Sequence, residues 1–232
     1  MSRVWLITDC ASGLGRALAE AVLARGDRLV AGAREPALLA DLVSAHAGRV
    51  QPVALVVSDE AAVYAALGAA LQVFGRLDVV VNHAATEPVG AFTVLRESDF
   101  RDEFETRFFG ALGVAHAALA LMQEQGWGHI VQLPAPSSSG GSAAQRAAQA
   151  ALSVFSDALA TEATESGIRA SFVEADTVDA WISTLLEDRN LASNDSIRPE
   201  TVRPTACARR EKAGSRAVPA DVVPFPPRPV AA

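Results

Sequence analysis

The sequence predicts an α/β fold: a Rossmann-like, doubly wound parallel sheet in a single domain. Three features carry that expectation. Short apolar runs rich in β-branched residues alternate with longer stretches of helical character along most of the chain. The runs are apolar at consecutive rather than alternate positions, as strands covered on both faces by crossover helices must be. Half of the 232 residues are apolar, and a chain of this size buries roughly 70–75% of its unfolded surface around one core.

Val4 to Thr8 opens the chain as the first strand, and Gly13 to Arg25 follows as the first helix. Arg28 to Ala33, Val50 to Val57 and Val79 to Asn82 are the next three strands, joined by helices over Pro36 to His46 and Glu60 to Phe74. Ser98 to Glu124 is the fourth helix. Ser98 is its expected N-cap, and Asp99 and Asp102 in the first turn suit the helix dipole. His129 to Leu133, a fifth helix over Ala143 to Ser166, and a last strand over Ile168 to Glu174 complete the alternation.

Residues 1–186 are expected to form this domain. From Glu187 the composition changes: eight basic residues stand against six acids, whereas the preceding part has twelve Arg against twenty-one acids. Six prolines between Pro204 and Pro229 accompany the switch, so residues 187–232 read as an irregular or partly disordered Pro/Arg-rich segment.

Composition narrows the function. A net charge of −7 with no basic cluster before the C-terminal segment leaves no footprint for nucleic acid or an acidic membrane. Small molecules or other proteins are the expected partners. The longest apolar stretch, Ala111 to Met122, is broken by His116 and is too short to span a bilayer. Two cysteines, Cys10 and Cys207, and a start without an apolar leader point to the cytoplasm. Abundant Ala and Arg with a single Lys suggest a bacterial gene. His46, His116 and His129 show no ligand spacing, and no metal is expected. Cys10, beside a helix start, is expected to have a lowered pKa, but no base is fixed near it by sequence.

The motifs carry the rest. Thr8-Asp9-Cys10-Ala11-Ser12-Gly13-Leu14-Gly15 turns the first strand into the first helix. It resembles the Thr-Gly-x-x-x-Gly-x-Gly loop of short-chain dehydrogenases/reductases, which brings a dinucleotide pyrophosphate to a helix N-terminus. Gly13 and Gly15 match, but Asp9 replaces the first glycine. A carboxylate about 4 Å from a phosphate oxygen, at an effective dielectric near 20, costs about 4 kcal/mol, or roughly a thousandfold in affinity. In an empty site the same charge favours the helix start by about 0.3–1 kcal/mol.

Later segments resemble the family in order, and each is altered. Arg34 stands where NADP-preferring members hold the 2′-phosphate. Val56-Val57-Ser58 replaces an Asp-Val-Thr stretch, leaving no acceptor for the adenine amine. Asn82-His83-Ala84-Ala85 resembles Asn-Asn-Ala-Gly. Arg107 stands where the family has a relay asparagine, and Ala135, followed by Ser137, Ser138 and Ser139, stands near the place of its serine. Gln145-Arg146-Ala147-Ala148-Gln149 matches Tyr-x-Ala-Ser-Lys in frame, and Glu174-Ala175-Asp176 replaces a Pro-Gly pair. The resemblance covers about residues 3–186.

The resemblance implies a fold, but its chemistry does not carry over. Hydride transfer in the family needs a tyrosine phenol acidified by a lysine four residues on. Here the only tyrosine is Tyr64 and the only lysine is Lys212, and glutamine neither titrates near neutral pH nor carries charge. No cofactor is expected; NADP is the one the relics Gly13, Gly15 and Arg34 would suit. Two readings follow. In one, the chain binds a small organic molecule and promotes a non-redox step such as cyclisation, isomerisation or dehydration. His83 and Asp9 would then be the acid/base pair, with the His pKa raised by Asp9 unless burial opposes it, and Arg107, Gln145, Gln149 and Asp176 would line the same cleft. In the other, it is a catalytically silent subunit, a homo- or hetero-oligomer through the two long helices by which family members associate. A working NADP reductase is a minor third.

Overall fold

The structure, a computed structural model, describes residues 2–83, 93, 95–133 and 142–173. Six strands form one parallel sheet: β1 (Val4–Ile7), β2 (Arg28–Ala33), β3 (Val50–Ala54), β4 (Val79–Asn82), β5 (His129–Gln132) and β6 (Arg169–Phe172), in the spatial order β3-β2-β1-β4-β5-β6. The order reverses between β1 and β4. That switch opens a crevice at the C-terminal ends of the strands, where doubly wound folds bind ligands. β3 is an edge strand, which is why it tolerates Pro52.

Successive residues point to opposite faces, and both faces are covered. Trp5, Ile7, Val79, Val81 and Val131 pack with α1 (Gly13–Ala24) and with the segment containing α2 (Ala40–Ala45). Val4, Leu6, Val30, Val80 and Ile130 pack beneath α3 (Glu60–Phe74), α5 (Ala111–Gln125) and α6 (Ala143–Glu165). Each fully buried Leu, Ile or Val contributes about 1.5–3 kcal/mol. The consecutive apolar pattern is thus explained: in β1, β4 and β5 neither face meets water.

Polar side chains fix the N-terminal ends of the strands. Asp27 accepts hydrogen bonds from the Arg3 amide at 2.9 Å and the Trp5 indole at 3.1 Å. Asp78 accepts from the Val4 amide at 2.7 Å and pairs with Arg76 at 2.7 Å. Helix ends follow local chemistry. Asp59 accepts from the amides of Ala61 and Ala62 to cap α3, which stops at Gly75 with φ 77°.

Three helix expectations are corrected. The stretch from Pro36 is a 3-10 turn, Pro36–Leu39, followed by the short α2. The fourth helix is three pieces: α4 (Glu97–Phe104), a wide π-helical turn (Glu105–Gly110) and α5. Its cap is Arg96 rather than Ser98, because the Asp99 carboxylate reaches back to the Arg96 amide at 3.0 Å and also pairs with its guanidinium. No helix among the described residues is long and apolar enough to cross a membrane. The expected boundary at residue 186 and the segment 187–232 lie outside the described residues.

Candidate functional site

The crevice is built where β1 and β4 end. After β1 the chain turns sharply into α1: the Cys10 amide donates to the Gly32 carbonyl at 2.8 Å, and Gly13 takes φ 58°, which a side chain would strain. The Asp9 carboxylate accepts from the Ala11 amide at 3.3 Å, and the Asp9 carbonyl lies so close to α1 that a Cβ at Gly15 would come within 1.6 Å of it. Gly15 is therefore required by the turn itself, whether or not a ligand approaches.

His83 follows β4 and is held at three points. Its amide donates to the Thr8 hydroxyl at 2.9 Å, the same hydroxyl donates to its carbonyl at 2.6 Å, and ring Nδ1 lies 3.2 Å from the Leu133 carbonyl. A carbonyl only accepts, so Nδ1 carries the proton and Nε2 holds the lone pair in the neutral ring. Burial pushes the His83 pKa below its ordinary 6.5; the Leu133 bond and the Asp9 charge oppose this, and the Arg107 charge reinforces it. The expected rise from Asp9 is thus outweighed by desolvation. Asp9 and His83 share the cleft, and Asp9 acts on the ring as a charge through space without a hydrogen bond between them.

The cleft they share has a cavity volume of about 60 Å³, with Asp9, Arg34, Val56, Ser58, His83 and Thr106 in its walls. Arg34, the relic position, is exposed at its rim. Cys10 lies fully buried beneath, and burial, followed by the Asp9 charge, pushes its thiol far up in pKa. This reverses the lowering expected from the helix start.

Arg107 sits in the π-helical turn, buried, and donates from Nε to Glu103 at 2.6 Å. The turn is fixed on two sides. A Cβ at Gly110 would lie 2.6 Å from the Val57 side chain, and the Asn82 amide donates to the Ala111 carbonyl at 2.7 Å. Wide turns of this kind occur often at functional sites. On α6, Gln145 accepts from the Ser142 amide at 3.0 Å while the Ser142 hydroxyl accepts from the Gln145 amide at 3.2 Å. The two form a capping box that starts the helix. Gln149 lies one turn on, half-buried.

The structure therefore brings Asp9, His83 and Arg34 to one cleft, with the Arg107 charge reaching His83. It gives Gln145 a place in the helix cap. Asp176, Ala135 and Ser137 to Ser139 lie outside the described residues. Glu103 and Ser142 were not anticipated, although Glu103-x-x-x-Arg107 has i,i+4 spacing and Ser142-x-x-Gln145 is a capping-box pattern. Among the described residues no group of His, Cys, Asp and Glu is arranged to hold a metal ion.

Comparison with known proteins places this geometry in context. The family model described as short chain dehydrogenase matches residues 3–190. The chain is 37% identical over 181 residues to Oxidoreductase BOA17 of Botryotinia fuckeliana, covering 75% of this chain and 65% of the relative. It is 37% identical over 124 residues to Oxidoreductase calM of Penicillium decumbens, covering 52% of this chain and 40% of that one. A crystal structure of a short-chain dehydrogenase from Streptomyces avermitilis superposes with a TM-score of 0.69 at 38% identity, over 75% of this chain and 65% of that one. The chain thus spans about two thirds or less of each of these three.

Proposed function

Because the chain belongs to the short-chain dehydrogenase family, we propose that it is a member that has left hydride transfer behind and serves as a catalytically silent subunit, associating with itself or with an active relative. The observation that carries this reading is the placement of its only phenol. Tyr64 lies on α3, half exposed to solvent, while Gln145, at the family's tyrosine position, closes the α6 capping box. Arg107, at the relay position, is engaged by Glu103. On this reading both side chains serve the fold, Gln145 as a cap and Arg107 in an ion pair.

A dinucleotide does not fit the residues present. The Asp9 carboxylate stands at the helix start where a pyrophosphate would lie, and Val56 offers the adenine no acceptor. Association is proposed through α5 and α6. Phe109 in the π-helical turn and Val154 on α6 expose 48% and 69% of their surface, and Phe108 packs edge-on against Phe155 to join the two elements. Light scattering tests it: Phe109→Asp with Val154→Asp should reduce the mass of the wild-type assembly, and an unchanged mass contradicts the proposed face. Restoring the pair as Gln145→Tyr with Gln149→Lys should not yield reduction of model ketones, and activity in that variant contradicts silence.

A second reading is favoured by one observation. Neutral His83, with its Nε2 lone pair free of the Leu133 bond and its ring in the cleft wall, has the state a general base needs. On that reading the cleft takes a small organic molecule without nicotinamide and His83 accepts a proton in a non-redox step. His83→Ala separates the two. The silent subunit loses stability and keeps its association; the enzyme keeps its fold and loses turnover.

A further inference from the structure

We infer that Asn82 and Gln132 hold an internal water molecule between β4 and β5. Gln132 is fully buried, and neither its Oε1 nor its Nε2 has a hydrogen-bond partner. Asn82 is almost as deeply buried; its Nδ2 is spent on the Ala111 carbonyl, and its Oδ1 has no partner. The two residues are register partners on neighbouring parallel strands, so their side chains leave the same face of the sheet.

The geometry suits one bridging water. Parallel neighbours run about 4.8 Å apart, which puts the two amide ends within the span of a single molecule making two hydrogen bonds. A buried water needs two to four polar partners. Gln132 supplies two donors and an acceptor, and Asn82 supplies an acceptor. The Ala111 bond also fixes the Asn82 orientation, because a carbonyl cannot accept from Oδ1. The helices of this face carry small buried residues where they begin, among them Gly110, Ala111, Ala144 and Ala148. Orphaned amides this deep are rare in folded proteins. The site is also placed to brace the cleft. Asn82 immediately precedes His83 and Gln132 immediately precedes Leu133, the two residues joined by the ring-to-carbonyl bond.

Two measurements test the assignment. In the wild-type protein, magnetisation transfer from a long-lived bound water should reach the Gln132 side-chain amide protons; absence of that transfer overturns the inference. In Gln132→Met, which keeps length and volume but removes every polar partner, the thermal midpoint should fall, because the water loses its anchor and Asn82 Oδ1 is stranded. A higher midpoint would mean that Gln132 was an unsatisfied burden in a dry core, and it overturns the inference. If Gln132→Met does not fold, the wild-type transfer experiment decides alone.

Discussion

Two sets of buried polar side chains, one at each end of the sheet, are treated differently. At the N-terminal ends of the strands, Asp27 and Asp78 each take a backbone amide and a side-chain donor, tying β1 to β2 and β4. At the C-terminal ends, Asn82 Oδ1 and both polar atoms of Gln132 have no protein partner, and His83 is desolvated more than its neighbours compensate. The first set ties strands together; the second keeps polar side chains at the crevice end of the sheet. The crevice end thus differs from the apolar core beneath it.

Four substitutions sharpen the contrast, from the largest effect down. Gly15→Ala should destabilise by more than about 3 kcal/mol, because its Cβ meets the Asp9 carbonyl and the whole turn must move. Asp78→Ala, which strands the Val4 amide and Arg76, should cost about 2–4 kcal/mol in urea unfolding. If it costs less than Gln145→Ala, the N-terminal end is not the stabilising one. Gln145→Ala should cost about 0.5–2 kcal/mol as the α6 capping box opens.

The smallest effect is a pH slope. His83 has a folded pKa below its ordinary value, so the unfolded chain binds more protons in the window between the two. The contribution of His83 is fully present above the unfolded pKa and is lost as pH falls through about 6.5 toward the lower folded value. Stability measured from about pH 7 to 5 should fall more steeply in wild type than in His83→Ala; equal slopes would place His83 outside the desolvated set.

The sequence made the sheet legible because its strands are apolar at consecutive positions, a pattern that parallel crossovers impose. The π-helical turn was hidden, since one extra residue per turn leaves no mark on a mixed segment such as Phe104-Glu105-Thr106-Arg107-Phe108-Phe109. Asp9 and His83 were placed in one crevice because each follows one of two neighbouring strands, and Arg34 was read as a relic of cofactor binding after the second strand. The sign of the His83 shift was not legible, because it depends on how deeply the ring is buried. Gln132 escaped notice because a lone amide at a strand end gives no pattern.

The central claim is that the crevice no longer serves a nicotinamide dinucleotide, and calorimetric titration of the purified protein with NADP(H) and NAD(H) tests it most directly. Asp9 at the helix start and Val56 at the adenine side lead to the expectation of no measurable binding heat. A dissociation constant below roughly 50 μM for either cofactor, near −6 kcal/mol of binding free energy, would contradict it.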